Sequence, residues 1–303
     1  MGLALCVAPC IHSTTTSPST FLYVLQAESL ANTKRAVVKR IASSGRDWII
    51  LDANFQKDKP WTKSDLKTIR AGKLGRKILA YLSIGEAEDY RSYWLSTWKH
   101  EGALSHKAPS WILEEDSDWH GNYHVKYWDP DWQKIIIPKV YELMKQGFDG
   151  VYLDRVDGFE QFEKKGGDYV DGRINPETKQ TYRKDMVDWV KSIAACARNT
   201  NPRAIIVPQN GVQLLRDSDF FVTISAIGIE DLFTDGNSIQ DTNHTKEVLY
   251  DLQKIKSVRK PILVTEYPES HRLRVMAEKK AGKNNLIWLI TDRELKRLGV
   301  SGN

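Results

Sequence analysis

Two acidic residues in this sequence have neighbours that argue against ordinary surface exposure. Asp154 directly follows the largely apolar run 150–153, so a buried strand would deliver its carboxylate to the edge of a sheet. Glu230 lies between the apolar residues of 227–229 and 232–233. Carboxyl groups withdrawn from water have shifted pKa values and serve as nucleophiles or as general acids and bases. We therefore predict Asp154 and Glu230 as catalytic carboxylates. For each, the alternative is a structural acid that accepts N–H bonds.

Polar and aromatic residues recur where other predicted strands end, and we predict that they bind substrate. Arg91 is expected to pair with an acid such as Glu86 or Glu88, although these acids would also suit a helix N-terminus. Turn formation is the alternative for Asp149 and Asp157, and packing is the alternative for each aromatic residue taken alone. The predicted substrate-binding residues are Asp52, Tyr81, Glu86, Trp128, Asp157, Gln209, Asn210, Glu266 and Tyr267.

Short apolar segments alternate with longer amphipathic ones from Phe21 onward, which indicates strands buried on both faces and a parallel sheet. The predicted strands are Phe21–Gln26, Asp47–Asp52, Lys77–Ser83, His124–Trp128, Gly150–Asp154, Ala204–Pro208, Phe220–Ser225, Pro261–Glu266 and Asn285–Ile290. The predicted helices are Asn32–Ser44, Asp131–Gln146, Asn175–Arg198, His244–Lys256 and Ser270–Lys280.

This alternation predicts an α/β fold, a (β/α)8 TIM barrel with one possible extra strand, formed by residues 21–303 as a single domain. Nine strands are one too many for the barrel, so either His124–Trp128 or Asn285–Ile290 is expected to be accessory. An open doubly wound sheet is the rival, but the glycine-rich phosphate-binding sequence of that fold does not follow the first strands. In a barrel the carboxyl ends of all strands ring one mouth, where barrel enzymes react.

The composition excludes several classes of function. Lys and Arg total 44 and Asp and Glu total 39, a net charge of +5, and the basic residues form no stripe that would bind nucleic acid. The three cysteines and seven histidines show no zinc-site spacing, so we predict neither a protein-built metal site nor a cofactor. No apolar run reaches about 18 residues, so no transmembrane segment is expected. We predict a monomer.

Residues 1–20 are predicted to be a leader outside the core. Residues 1–10 are small and apolar, and residues 11–20 are rich in Ser, Thr and Pro, which offer no hydrophobic face. The segment looks like the remainder of a signal peptide followed by a tether, and Leu3–Cys6 loosely resembles a bacterial lipoprotein cleavage site. This interpretation predicts a secreted or cell-surface protein. The alternative is a disordered tail on a cytoplasmic protein.

Three segments together resemble a known family of enzymes. They are Tyr81–Glu88, Gly147–Asp157 and Gly228–Phe233, and they are similar to the glycoside hydrolases related to family 114, which include endo-α-1,4-polygalactosaminidases. The resemblance extends over nearly all of residues 21–267. It implies a (β/α)8 barrel, cleavage of amino-sugar polymers, and catalytic carboxylates at Asp154 and Glu230.

The sequence also departs from the pattern of that family. Arg155 follows Asp154 where the polygalactosaminidases usually carry Asn, and Gln209 stands where they usually carry Lys. A Cys that commonly follows the region of Glu230 in the family is not present here. These departures bear on the substrate more than on the fold or the carboxylates.

The sequence therefore predicts a glycosidase that cleaves a microbial, amino-sugar-containing polysaccharide, in endo or exo mode. The alternative is a catalytically silent carbohydrate-binding surface protein on the same barrel. Phosphate-ester or aldolase chemistry is a third hypothesis, but the sequence lacks the phosphate-binding glycines and a strand-end lysine. Carboxyl groups of Asp154 and Glu230 roughly 5–10 Å apart across one cleft would favour hydrolysis. A salt bridge to either would favour the binding protein.

Overall fold

Eight parallel strands form the centre of the fold. The computed structural model describes residues 17–57 and 59–303. The strands are β1 (Phe21–Val24), β2 (Trp48–Asp52), β3 (Lys77–Ser83), β4 (Gly150–Asp154), β5 (Ile205–Pro208), β6 (Ile227–Glu230), β7 (Ile262–Glu266) and β8 (Ile287–Ile290).

The strands follow one another around a barrel. Strands β1 to β5 pair in chain order, and so do β6 to β8. A single bridge between Gln209 and Gly228 joins β5 to β6, and Asn210 N–H donates to the Gly228 carbonyl at 2.8 Å. Between β8 and β1, the N–H groups of Leu25 and Gln26 both donate to the carbonyl of Leu295 in the loop after β8. The predicted (β/α)8 fold is confirmed.

Side chains along each strand alternate between the barrel interior and the layer beneath the helices. Tyr152 and Leu263 belong to the interior cluster, whereas Val151 and Val264 pack in the outer layer. Both sets are fully buried. This double burial explains why the strands read as continuous apolar runs instead of alternating ones.

Eight helices surround the strands in the described part of the chain. They are α1 (Lys34–Ala42), α2 (Lys63–Ala71), α3 (Pro130–Gln146), α4 (Glu160–Glu163), α5 (Tyr182–Thr200), α6 (Ser218–Thr223), α7 (Thr242–Ser257) and α8 (His271–Lys283). The sequence analysis missed α2, although Thr62 and Asp65 form a capping box at its start, each side chain accepting from the other's backbone N–H. No helix among these is long and apolar enough to cross a membrane.

Two predicted helices begin later than expected. Thr33, and not Asn32, caps α1, because its side chain accepts from Ala36 N–H at 3.2 Å. The predicted start of α5 at Asn175 is wrong by seven residues, since Thr181 is the cap residue. Asn175 is instead fully buried and donates to Asp185 Oδ2 at 2.7 Å, which ties the preceding loop to the helix.

The predicted strand Phe220–Ser225 is wrong, because this segment forms α6. Its aromatic and β-branched residues favour a strand, but Asp217 accepts from two N–H groups, those of residues 219 and 220, and so begins a helix. The barrel strand in this part of the sequence is β6, which starts two residues after the predicted segment. Glu230 is therefore the last residue of a strand.

A small antiparallel sheet follows β3 and contains the accessory strand. Its three strands are Glu86–Glu88, Ile112–Glu115 and Asn122–Val125. The predicted strand His124–Trp128 overlaps the third, whereas Asn285–Ile290 corresponds to barrel strand β8. Of the two strands that the sequence left open, His124–Trp128 is therefore the accessory one.

The predicted leader meets the barrel before its expected end. Residues 1–16 lie outside the described residues. Pro18 is buried, and Ser19 N–H and Thr20 N–H donate to Asp47 Oδ2 at 2.9 and 3.0 Å. Residues 18–20 thus contact the barrel beside the start of β2, and the predicted boundary at residue 20 stays a prediction.

Candidate active site

A cleft of about 480 Å³ opens at the carboxyl ends of the barrel strands. We define it by its lining residues, which come from the ends of β1 to β7, the loop after β8 and the small antiparallel sheet. They are Tyr23, Leu25, Gln26, Asp52, Tyr81, Glu86, Glu88, Tyr90, Arg91, Trp119, His120, Asn122, Asp154, Arg155, Asp157, Gln209, Asn210, Glu230, Tyr267, Arg293, Glu294 and Leu295.

Asp154 and Glu230 face each other on the floor of this cleft. Gln209 lies between them, and its Nε2 donates to Asp154 Oδ1 at 2.8 Å and to Glu230 Oε2 at 2.7 Å. Because both oxygens bond the same nitrogen, they are at most about 5.5 Å apart. The two predicted carboxylates therefore lie within one site.

Each carboxyl group also accepts a hydrogen bond from a tyrosine. Tyr81 donates its hydroxyl to Asp154 Oδ2 at 2.6 Å, and Tyr267 donates to Glu230 Oε1. All side-chain donors that bond Asp154 and Glu230 in the described part of the chain are thus neutral. Neither carboxylate is held in a salt bridge there.

Beneath the pair, tyrosine rings keep the centre of the barrel dry. The rings of Tyr23 and Tyr152 lie 5.1 Å apart between centroids and are almost fully buried. Tyr152 reaches across the barrel to Gly228, where an added Cβ would lie 2.0 Å from its hydroxyl. A glycine at this place in β6 is therefore required for the tyrosine to fit.

Burial in this environment raises the pKa of both carboxyl groups. Loss of water raises the pKa of Asp154 to about 6, although the hydrogen bond from Tyr81 acts in the opposite direction. Loss of water, together with the nearby charge of Asp154, raises the pKa of Glu230 to about 8. At neutral pH the site therefore holds one carboxylate and one carboxylic acid, which is the pairing that acid–base chemistry requires.

Arg155 joins the barrel to the small antiparallel sheet. Its guanidinium bonds both Glu86 and Asp116, while His124 Nδ1 lies 3.1 Å from Glu86 Oε1. The ligand atoms of Glu86, Asp116 and His124 lie within 4.8 Å of one another and have the chemistry of a metal site. Arg155 is shared by the two carboxylates and offsets one of their two negative charges, so these residues form an ion-pair cluster.

A second ion-pair cluster lies on the side of β2. The expected pairing of Arg91 is seen, since its guanidinium lies 2.7 Å from Glu88 Oε2 and 2.7 Å from Asp52 Oδ2. Asp52 also accepts the Asn54 N–H at 2.8 Å, which closes the turn after β2. This arrangement places Asp52 in the cleft wall as a partner of Arg91.

Two further candidate residues form a pair beside the centre. Asn210 Nδ2 donates to Asp157 Oδ2 at 3.3 Å, and Asn210 Oδ1 accepts the Glu230 N–H at 3.1 Å. Burial raises the pKa of Asp157 to about 6. Both residues line the cleft, so their predicted contact with substrate stays a prediction that the geometry permits.

Trp128 and Glu266 do not lie in the cleft, which is at odds with their predicted contact with substrate. Trp128 packs against Tyr182 and donates its indole N–H to Glu177 Oε2 at 2.8 Å. Glu266 is fully buried and accepts from the N–H groups of Phe233 and Thr234 at 2.8 and 2.9 Å. Glu266 thus holds the loop after β6 in place.

Sequence reasoning missed several cleft residues. Arg293 and Glu294 lie three and four residues after the end of β8, in the loop that the sequence analysis did not assign to the barrel mouth. Tyr23 lies within the first predicted strand. Trp119 and His120 come from a turn in the small antiparallel sheet, where no sequence periodicity marks them.

Comparison with known proteins gives matches of two kinds. A family model described as glycoside-hydrolase family GH114 matches residues 14–302. An uncharacterised protein of Deinococcus radiodurans is 34% identical over 259 residues, which cover 85% of this chain and 77% of that protein. An uncharacterised protein of Methanocaldococcus jannaschii is 34% identical over 251 residues, which cover 82% of this chain and 66% of that protein.

Two solved structures share the fold at low sequence identity. Ega3 of Aspergillus fumigatus, solved in complex with galactosamine, has a TM-score of 0.64 and 16% identity, with 92% of each chain covered. The glycoside hydrolase domain of PelA from Pseudomonas aeruginosa has a TM-score of 0.64 and 18% identity, covering 94% of this chain and 98% of that one. The predicted family resemblance is confirmed by the family match over nearly the whole sequence. The chain belongs to glycoside-hydrolase family GH114, a family of glycosidases.

Proposed function

We propose that the protein is a retaining glycosidase that cleaves an amino-sugar-containing polysaccharide, with Asp154 as nucleophile and Glu230 as general acid and base. The observation that supports it most directly is the pair of partly buried carboxyl groups bonded to one amide nitrogen on the cleft floor. Retaining glycosidases hold their carboxyl groups about 5–5.5 Å apart, whereas inverting ones leave about 6.5–9.5 Å for a water molecule. The short separation favours retention.

The two roles follow from the two ionisation states. In the first step, protonated Glu230 gives its proton to the glycosidic oxygen while Asp154 attacks the anomeric carbon. This forms a glycosyl ester on Asp154 and releases the leaving chain. In the second step, water attacks the same carbon, the Glu230 carboxylate takes the water proton, and Asp154 is freed. With pKa values of about 6 and about 8, kcat/KM should be highest between those two pH values.

The charge of the cleft supports a cationic sugar. The three arginines of the lining are each paired with carboxylates: Arg91 with Glu88 and Asp52, Arg155 with Glu86 and Asp116, and Arg293 with Asp231. Acidic groups therefore outnumber basic ones among the lining residues, and they would attract the ammonium group of a deacetylated amino sugar. The galactosamine bound to the fungal structure of the same fold agrees with this substrate class.

The rival function, a silent carbohydrate-binding protein, is less well supported. A binding surface gains nothing from a protonated carboxylic acid beside a carboxylate, because burying such a pair costs stability. In the rival interpretation the two acids would be structural and would be bonded to loop backbone, as Glu266 is. Apart from the Arg155 N–H, which donates to Asp154 Oδ1 at 2.8 Å, the donors that bond them are side chains at the ends of three other strands inside the cleft.

Release of reducing ends from defined polysaccharides tests the proposal. Polymers of galactosamine and glucosamine should be compared with their fully N-acetylated forms, because only the former carry positive charge. We expect turnover of a deacetylated polymer, and Asp154→Asn and Glu230→Gln should each lower kcat by several orders of magnitude. Near-wild-type turnover in Asp154→Asn would refute the assignment.

Azide rescue separates the two roles. An alanine variant of the nucleophile accepts azide on the face that the carboxylate occupied, whereas an alanine variant of the acid–base group traps azide on the glycosyl ester. Asp154→Ala should therefore give the glycosyl azide of inverted configuration, and Glu230→Ala the retained one. The opposite outcome would exchange the roles. Glu266→Gln is the matched control, since it removes a buried carboxylate outside the cleft.

We further propose that the protein acts at or beyond the cell surface, as a monomer. The apolar segment at residues 1–10 and the polymeric substrate support this location. Protease treatment of intact cells tests it, because a surface protein is degraded and a cytoplasmic one is protected. Light scattering of the purified 303-residue chain tests the monomer, for which the expected mass is 34.7 kDa.

A further inference from the structure

Gln209 has an unusual position between the two carboxyl groups. It directly follows β5, and its backbone N–H donates to the Leu153 carbonyl at 2.8 Å, which fixes it beside β4. Its bridge to Gly228 fixes it equally beside β6. The residue is only 3% exposed. Both flanking strands thus hold the backbone that carries this amide.

The hydrogen-bonding capacity of the Gln209 amide is used in an equally specific way. A carboxamide NH2 has two hydrogens, and these are directed to Asp154 Oδ1 and Glu230 Oε2. No N–H is left to donate to a sugar hydroxyl. The Oε1 atom is buried and has no hydrogen-bond partner among the described residues. The N–H groups of Gln209 are therefore not free for the predicted contact with substrate, which stays a prediction.

We propose that Gln209 is a positioning residue that holds Asp154 and Glu230 at a fixed separation without placing a charge between them. This inference rests on the proposed function for the catalytic role of the two carboxyl groups. The hydrogen bonds from Gln209 to both groups do not depend on that role. Both N–H groups of its amide are bonded to the pair, so it would act through the two carboxyl groups.

The neutrality of the Gln209 amide matters because one carboxyl group of the pair must be ionised while the other stays protonated. Two carboxylates in a dry site repel each other, so one retains its proton. A cation in place of the amide, such as the lysine that the polygalactosaminidases usually carry at this position, would stabilise both negative charges and lower the pKa of Glu230, so that Glu230 would keep its proton only at lower pH. A neutral donor stabilises charge less and leaves the pKa of Glu230 raised.

Other groups also face the pair and must stay constant in any test. Around Glu230 they are Asp154, Asp231, Arg293, Tyr23, Tyr152 and Tyr267. Around Asp154 they are Tyr81, Arg155 and Asp157. None of these residues lies on β5. A substitution at Gln209 therefore changes the residue between the two carboxyl groups and leaves the other neighbouring groups unchanged.

Two substitutions of opposite character test the proposal. Gln209→Lys introduces a cation of similar length, and Gln209→Met keeps the size but removes both donors. The pKa of Glu230 should fall by about one unit or more in Gln209→Lys and rise by a similar amount in Gln209→Met. The alkaline limb of kcat/KM should move in the same directions, while KM changes little.

The matched control is Gln213→Lys. Gln213 Nε2 donates to Glu160 Oε1 at 2.7 Å, so this variant places the same charge beside a partly buried carboxyl group outside the cleft. We expect no movement of either limb. Thermal unfolding of all three variants identifies any loss of fold, which would lower kcat without moving a limb.

Carbon-13 NMR of labelled Asp and Glu carboxyls provides a readout that does not need activity. Glu230 is assigned by the signal missing from Glu230→Gln. Opposite shifts of its titration in Gln209→Lys and Gln209→Met support the positioning role even if Asp154→Asn proves active and the proposed function fails. The positioning role would be overturned if Glu230 titrated with the same pKa in Gln209→Lys and Gln209→Met. It would also be overturned if both variants lost kcat equally while the limbs of the pH profile of kcat/KM stayed in place.

Discussion

Replacing Tyr267 with Phe removes one hydrogen bond to Glu230 and little else. The phenol hydroxyl is lost, but the ring remains beneath the Arg293 guanidinium, whose carbon lies 4.3 Å from the ring centroid. A hydrogen bond to a charged acceptor contributes about 1.5–3 kcal/mol, and one pKa unit corresponds to about 1.4 kcal/mol. The pKa of Glu230 should therefore rise from about 8 to roughly 9–10 in Tyr267→Phe.

The assay is the pH dependence of kcat/KM on the polymer that the substrate screen identifies. At pH 7 Glu230 is already mostly protonated, so the rate there should change little, while the alkaline limb should extend by one to two pH units. Tyr152→Phe is the matched control, because that hydroxyl lies in the same tyrosine layer but has no hydrogen-bond partner in the described residues. An alkaline limb that stays in place in Tyr267→Phe, or that moves equally in both variants, would refute the reasoning.

Three further predictions concern the rim, the loop after β6 and the barrel interior. Trp119→Ala should raise KM about tenfold with kcat nearly unchanged in steady-state kinetics, since the side chain is 44% exposed at the cleft rim and reaches no reacting atom. Glu266→Gln should lower the free energy of unfolding by about 1–3 kcal/mol in denaturant titrations while turnover persists; loss of turnover in the folded variant would contradict this. Gly228→Ala should lower the melting temperature, because the new Cβ would lie 2.0 Å from the Tyr152 hydroxyl. Adding Tyr152→Phe should restore part of that loss, whereas strictly additive losses would count against the contact.

The carboxylate pair could be predicted because β4 and β6 are short and strongly apolar. Each strand ends in its acid, and the two-residue period of a strand places Asp154 on the same side as Tyr152, inside the barrel. The same period explains the error at Glu266. Tyr267 lies on the interior side, so its neighbour Glu266 points outward to the loop after β6. Position at a strand end was therefore not enough to predict that a residue lies in the cleft. The prediction also requires knowing which residues of the alternating strand face the barrel interior.

Other features could not be predicted from local patterns. The segment 220–225 has the composition of a strand, yet the cap at Asp217 and burial of Phe220 make it a helix. The turn that carries Trp119 lies in an insertion whose short strands show neither a long apolar run nor a clear alternation. Gln209 could be placed at the cleft from the sequence, but its bonds to two carboxylates depend on both neighbouring strands.

Four acids in and beside the barrel mouth make folding a reaction that takes up protons. Asp154, Asp157, Glu230 and Glu266 have folded-state pKa values of about 6, 6, 8 and 7, all above the ordinary values near 4 that the unfolded chain would show. Between about pH 4 and 8 the folded protein therefore binds more protons at these groups than the unfolded chain does. Their contribution to stability is complete below pH 4 and is lost as the pH rises through these values. Mildly alkaline surroundings thus weaken the fold in part through the ionisation of Glu230, the same proton loss that ends catalysis.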